Sequence, residues 1–168
     1  MNADRGTGRW FDDPAAQLLL ESRIPARVAW TGPDGAPRIA PMWFAWDGAR
    51  FVLAAFAGAA KLRALTRGTA VALCIDSQDF PYRSLNVRGL LDDVSEQPGL
   101  VPEYRDATVR YLGPDTAERW FGHLGAGCRQ VRLSVAPQAV TVADMARDSS
   151  FLARPPRPRG DAIPSHQE

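Results

Sequence analysis

The chain has 168 residues, 45% of them hydrophobic and 23% charged, a length that fits one globular domain and is short for two. Twenty basic residues against nineteen acidic ones leave a formal charge of +1, which disfavours the non-specific binding to nucleic acid or anionic membrane that a polycationic surface drives. The longest uninterrupted apolar run, residues 51–60, has ten residues, about half of the roughly 20 that a membrane-crossing helix needs. Asp4, Arg5, Arg9, Asp12 and Asp13 leave no apolar segment for a secretory signal, so a cytoplasmic location is expected.

Residues 1–13 read as a flexible N-terminus. Asp12-Asp13-Pro14 then starts a helix, with an Asp cap and Pro in the first turn, whose apolar face runs to Ser22. Residues 27–31 are expected as a short strand, Gly32-Pro33-Asp34-Gly35 as a turn, and residues 38–46 as a second strand. Asp47-Gly48 signals a hairpin that returns through residues 50–55. The loop Phe56-Ala57-Gly58 leads into a helix over 59–67, stopped by Gly68. Two more strands follow over 70–76 and 83–93. The period then becomes helical over 102–112 and, capped by Asp115, as far as Leu124. Strands over 129–135 and 138–142, parted by Pro137, close a domain spanning 14–145. Residues 146–168, rich in Arg and Pro, read as a disordered tail.

The hairpin carries an anomaly. Pro41 to Trp46 and Phe51 to Phe56 are apolar on both faces, whereas a sheet with one wet face alternates. A second subunit is the economical cover for the extra face, and the chain's own helices are the alternative.

Hydrolytic signatures are missing: no GxSxG elbow, no HExxH and no Walker loop occurs. His123 near a helix end reads as structural, and His166 falls in the tail. Cys74 and Cys128 have no metal or redox spacing and read as two buried thiols, with no metal site expected. No catalytic residue can be assigned, so any chemistry would rest on a cofactor. Lys61 is the one lysine beside nineteen arginines. It follows a loop of small residues at the start of the helix over 59–67, where backbone N–H groups favour an anion. Position alone fits a phosphate ligand or an ordinary solvated lysine equally well.

Arg27-Val28-Ala29, Asp34-Gly35-Ala36-Pro37, Pro41-Met42-Trp43-Phe44, Trp46-Asp47-Gly48, the loop ending at Lys61, Leu62-Arg63-Ala64-Leu65, Pro81-Tyr82-Arg83 and Val87-Arg88-Gly89 together resemble the pyridoxamine 5'-phosphate oxidase-like, flavin-binding split-barrel family. The resemblance covers about residues 22–93 and, more loosely, 129–142. It implies a mainly β fold with flanking α-helices: a six-stranded antiparallel split β-barrel, homodimeric, with a cofactor at the dimer interface.

By matched position the resemblance implies that Arg27 and Lys61 bind phosphate, with Gly58, Ala59 and Ala60 in the loop beside it. Met42, Trp43 and Phe44 would lie near the isoalloxazine ring, and Arg88 would face the cofactor region. The implied cofactor is FMN, with a deazaflavin coenzyme as the alternative. Two departures bear on that choice. Ala54, Ala55, Ala59 and Ala60 stand where phosphate-binding members carry hydroxyl or basic residues. The stretches Leu62-Arg63-Ala64-Leu65 and Pro81-Tyr82-Arg83 look more like the deazaflavin-using branch. The C-terminal substrate motif of the vitamin-making oxidases is missing, so pyridoxal phosphate synthesis itself is not expected. The expected function is an oxidoreductase passing hydride between a flavin or deazaflavin and a small, conjugated, apolar organic substrate, with Met42, Trp43, Phe44 and Phe56 as its wall. The alternative is a non-catalytic flavin-binding or ligand-carrying split-barrel dimer.

Overall fold

The computed structural model describes residues 8–125 and 127–147; most of the expected tail, with His166, lies outside them. Seven strands form one antiparallel sheet: β1 (Ala26–Thr31), β2 (Pro37–Met42), β3 (Phe44–Trp46), β4 (Phe51–Phe56), β5 (Ala70–Asp76), β6 (Arg83–Pro98) and β7 (Arg129–Asp144). Their order is β2-β1-β5-β6-β7-β4-β3. The helices are α1 (Gly8–Phe11), α2 (Pro14–Glu21), α3 (Pro102–Leu112) and α4 (Pro114–His123).

The sheet corrects the expected count of six strands. Trp43 interrupts the strand expected over 38–46, and the two pieces, β2 and β3, lie at opposite edges of the sheet. The hydrogen-bonded ladder is therefore open. Yet the chain passes from one edge to the other through a single residue, a span of no more than about 7.6 Å between the flanking Cα atoms. The sheet must curl until its edges meet, as in a barrel with one unbonded seam.

Strands β6 and β7 are each 16 residues long, longer than expected. Pro137 does not split β7. The ladder steps from Arg88 opposite Ala139 to Gly89 opposite Pro137, so Gln138 is the extra residue of a bulge, one of the places where a sheet tolerates proline. Gly89 is required at this crossing because a Cβ there would lie 2.4 Å from the Ala136 carbonyl oxygen.

The sheet interior is filled by Val28, Phe44, Phe51, Leu53, Leu73, Leu85, Val87, Leu133 and Val135, all buried. Helix α2 begins as its sequence dictates: Asp13 accepts from the Ala15 N–H at 2.8 Å, Pro14 occupies the first turn, and Ala16, Leu19 and Leu20 face the core. Within the stretch 1–13 expected to be a flexible N-terminus, Gly8–Phe11 form a helical turn, and buried Phe11 stacks on Trp46 with ring centroids 4.1 Å apart. Gly113, with φ +79°, separates α3 from α4, so Asp115 sits in the first turn of α4 instead of capping it.

The two-faced hairpin is covered from within. Helix α3 packs across β3 and β4 and closes over Val52. The anomaly that pointed to a second subunit is thus met by the chain's own helix. The exposed sheet face lies elsewhere, on β2, β1, β5 and β6. There Ile39, Ala29, Ala72 and Arg88 form one cross-strand row, and Ile39 is 67% exposed.

Candidate functional site

Where β2 gives way to β3, a groove of about 290 Å³ opens at the seam. Met42 and Trp43 line it from the crossing, Ala54, Ala55 and Phe56 from the end of β4, and Ala59 and Lys61 from the turn that follows. Helix α3 contributes Tyr104 and β7 contributes Gln130.

Aromatic rings build one wall. Trp43 stacks on Tyr111, centroids 5.0 Å apart and planes 8° apart, and on Tyr104 at 5.8 Å and 27°. Phe56 meets Tyr104 edge-on at 6.3 Å. Tyr104 and Tyr111 lie two helical turns apart on one face of α3, which is why both reach Trp43. Burial raises the hydroxyl pKa of both tyrosines, so both remain neutral hydrogen-bonding groups at physiological pH.

Lys61 faces this wall from a different local structure than expected. The helix over 59–67 is a single 3-10 turn, Ala60–Arg63. Past it, Thr69 Oγ1 donates to the Ala64 carbonyl at 2.9 Å and accepts from the Thr66 N–H at 3.1 Å, bonds that replace a continuing helix. One short turn carries little macrodipole, so any preference for an anion here rests on the ammonium itself. Lys61 is half-buried and, among the described residues, pairs with no carboxylate.

The other sequence candidates divide. Gly58, at φ +85°, makes the turn after β4, Ala59 lines the groove and Ala60 is exposed beside it. Arg27 stands opposite Pro41 of the groove rim in the β1–β2 ladder, but its guanidinium is paired with Asp76. Arg88 is not brought to the groove. It borders a separate depression on the exposed sheet face, with Ala72, Gly89 and Ala139. Phe44, 1% exposed, packs on Phe51 at 5.7 Å beneath the Arg110 guanidinium; its side chain belongs to the core and does not line the groove. Both cysteines are free and half-buried, less enclosed than expected.

Two groove residues were not anticipated. Tyr104 had a legible signal, its spacing from Tyr111 on one helix face. Gln130 had a misleading one, since Gln130, Arg132 and Ser134 alternate with apolar residues as a wet face would. Instead the start of α3 meets that face, where the Val101 N–H bonds Gln130 and Glu103 pairs with Arg132, and Gln130 is 0% exposed.

The chain matches the model of the family described as Pyridoxamine 5'-phosphate oxidase over residues 12–145. It belongs to this family. The match extends the resemblance read from residues 22–93 to nearly the whole described fold. Among solved structures, an F420 reductase is 31% identical, covering 74% of this chain and 94% of that one, with a TM-score of 0.56. A conserved hypothetical protein from Mycobacterium tuberculosis, 21% identical, aligns over 88% of this chain and 92% of its own with a TM-score of 0.59. The FAD and heme binding protein from Mycobacterium smegmatis, also 21% identical, aligns over 86% and 73% with a TM-score of 0.55. The last two share the fold of this Pyridoxamine 5'-phosphate oxidase family member. No curated protein matches the chain. Among the described residues no helix is long and apolar enough to cross a membrane.

Proposed function

We propose that the seam groove binds the ring system of a flavin or deazaflavin nucleotide, FMN or a deazaflavin coenzyme, and that the protein is an oxidoreductase acting on a small, conjugated, apolar organic substrate. The observation that carries this reading is that Lys61, the single lysine of the chain, and Trp43, the residue at the seam, line the same groove. The family supports it, as does likeness to a protein named as an F420 reductase.

The residues fit such a group. Ala54, Ala55 and Ala59 leave room for a planar ring to approach the backbone. Trp43, Phe56 and Tyr104 offer aromatic surface, and Lys61 offers a charge-assisted contact to a phosphate of about 1.5–3 kcal/mol. When bound, the ring would supply hydride donor and acceptor chemistry. The chain's own part is to orient the reactants and exclude water, with Met42 and Phe56 holding the apolar substrate. The groove volume is at the low end of the ~300–1,000 Å³ usual for small-molecule sites. A second copy packed on the exposed face of β2, β1, β5 and β6 would enlarge the cover, and we propose a homodimer for that reason. Two free thiols suit a reducing cytoplasm.

One observation favours a second reading, a ligand-carrying dimer without turnover. The three groove alanines contribute no proton donor or acceptor from their side chains. Purified protein separates the two. A flavin spectrum, or fluorescence quenching of added FMN or deazaflavin, together with oxidation of the reduced cofactor by a conjugated enone, supports the enzyme. Binding without turnover across such substrates supports the carrier, and binding of neither cofactor overturns both.

A further inference from the structure

Gln130 is the most enclosed polar side chain at the groove. Its Oε1 accepts from the Val101 N–H at 2.9 Å, while its Nε2 is buried without a partner. The orientation of the amide follows from chemistry: flipped, it would set Nε2 against the Val101 N–H, donor to donor. Nε2 therefore carries an unused donor on a residue that lines the groove, whose other features point to a ligand. A buried donor left unpaired is costly, and native structures rarely retain one without a reason.

We infer that Gln130 Nε2 donates a hydrogen bond to a neutral carbonyl oxygen or ring nitrogen of the molecule bound in the groove, and so selects rings that present an acceptor there. The inference rests on the cofactor reading above and extends it to the ring edge. A phosphate does not suit this position. Gln130 lies beside Phe56, Tyr104 and Val101, and a fully buried anion needs a cation beside it. The phosphate contact would fall to Lys61, which is half-buried and lines the same groove. Phe56 stands directly opposite Gln130 in the β4–β7 ladder and is 38% exposed, so a ring edge that reaches Nε2 would lie beside its side chain.

The test uses FMN and riboflavin, which share the ring and differ by the phosphate, together with a deazaflavin nucleotide and its dephosphorylated form, each titrated against the full chain by fluorescence quenching. Gln130→Glu keeps the acceptor for Val101 and, when ionised, removes the donor, so it is titrated at high pH as well. Gln130→Met has similar length and no donor, which guards against a folding defect caused by a buried carboxylate. Both variants are expected to raise the Kd for each ligand that the parent binds about tenfold or more, while Lys61→Ala raises it for the phosphorylated form and leaves the dephosphorylated one unchanged. In isotope-labelled protein the Gln130 side-chain amide resonance should shift on adding riboflavin. Unchanged Kd values in folded Gln130→Met, with the parent binding normally, overturn the inference and leave the cofactor reading standing. A loss confined to the phosphorylated form also overturns it, since the donor would then serve the phosphate end. A parent that binds neither flavin nor deazaflavin overturns both.

Discussion

The guanidinium of Arg147 donates to both carboxylate oxygens of Asp13, at 2.7 Å and 3.0 Å, and so ties the end of the last strand to the N-cap of α2. Arg147 falls within the stretch 146–168 expected to be a disordered tail. Its hydrogen bond holds the Asp13 carboxyl below its ordinary value, a bond from the Ala15 N–H adds to the effect, and burial opposes it. A carboxyl whose folded pKa is depressed adds stability above its unfolded value of about 3.9, and that stability is lost as pH falls through the folded value. Asp13→Asn, which can still cap the helix, is expected to flatten the acid limb of the stability curve below about pH 4. Asp13→Ala should also cost about 0.5–2 kcal/mol near neutrality through loss of the cap. Urea unfolding across pH checks both. A chain ended after Asp148 keeps Arg147 and should match the parent in Tm, whereas one ended after Met145 should melt lower.

Lys61→Ala should weaken FMN binding by about 1.5–3 kcal/mol, roughly 10- to 150-fold, with little change in the unfolding of the free protein. Lys61→Arg should lose part of that affinity, because a planar guanidinium fits the small-residue turn less well than a compact ammonium. The difference between parent and Lys61→Ala should shrink as salt rises. Equal Kd values for parent and Lys61→Ala would leave the lysine without a role at the site.

Ile39 is the large apolar side chain at the centre of the argument for a dimer, since α3 already covers the hairpin. Light scattering should give a mass near twice 18.3 kDa. Ile39→Glu should shift it toward one chain without loss of fold. A parent that is a clean monomer at micromolar concentration removes the dimer.

Gly89→Ala drives a methyl group into the Ala136 carbonyl, a backbone atom that cannot swing away. Over-packing of this kind should cost about 1–3 kcal/mol in urea unfolding. A variant as stable as the parent would mean that the bulge at Gln138 adjusts freely.

Local chemistry carried much of the fold. Pro14 after Asp13, and Pro102 with Gly113, mark helix ends that the structure keeps, and residues 70–76 form the strand that their pattern implies. What escaped depends on distant partners. Pro137 reads as a strand break until Gly89 is seen opposite it. Trp43 reads as the middle of a strand until β2 and β3 are seen at opposite edges. The apolar hairpin reads as an intermolecular face until α3, some fifty residues later in the chain, is laid across it. Of the groove residues, Lys61 stood out by composition, with an ordinary solvated lysine equally open from its position, and Trp43 entered only through the family resemblance. Neighbours in a strand face opposite ways, and nothing local said which of Trp43 and Phe44 would meet the groove. Gln130 was hidden because its burial is imposed by a helix.

The seam at Trp43 leaves two strands with an unpaired side, and their composition limits what can happen there. Strand β2 carries Pro37 and Pro41, which have no N–H to offer, and β3 is only three residues long. Prolines on one edge and brevity on the other discourage a further strand from adding there, which works against growth into a ribbon from chain to chain. The homodimer proposed above would therefore join through a sheet face and not through these two strand edges, leaving the strand order of each chain as it is.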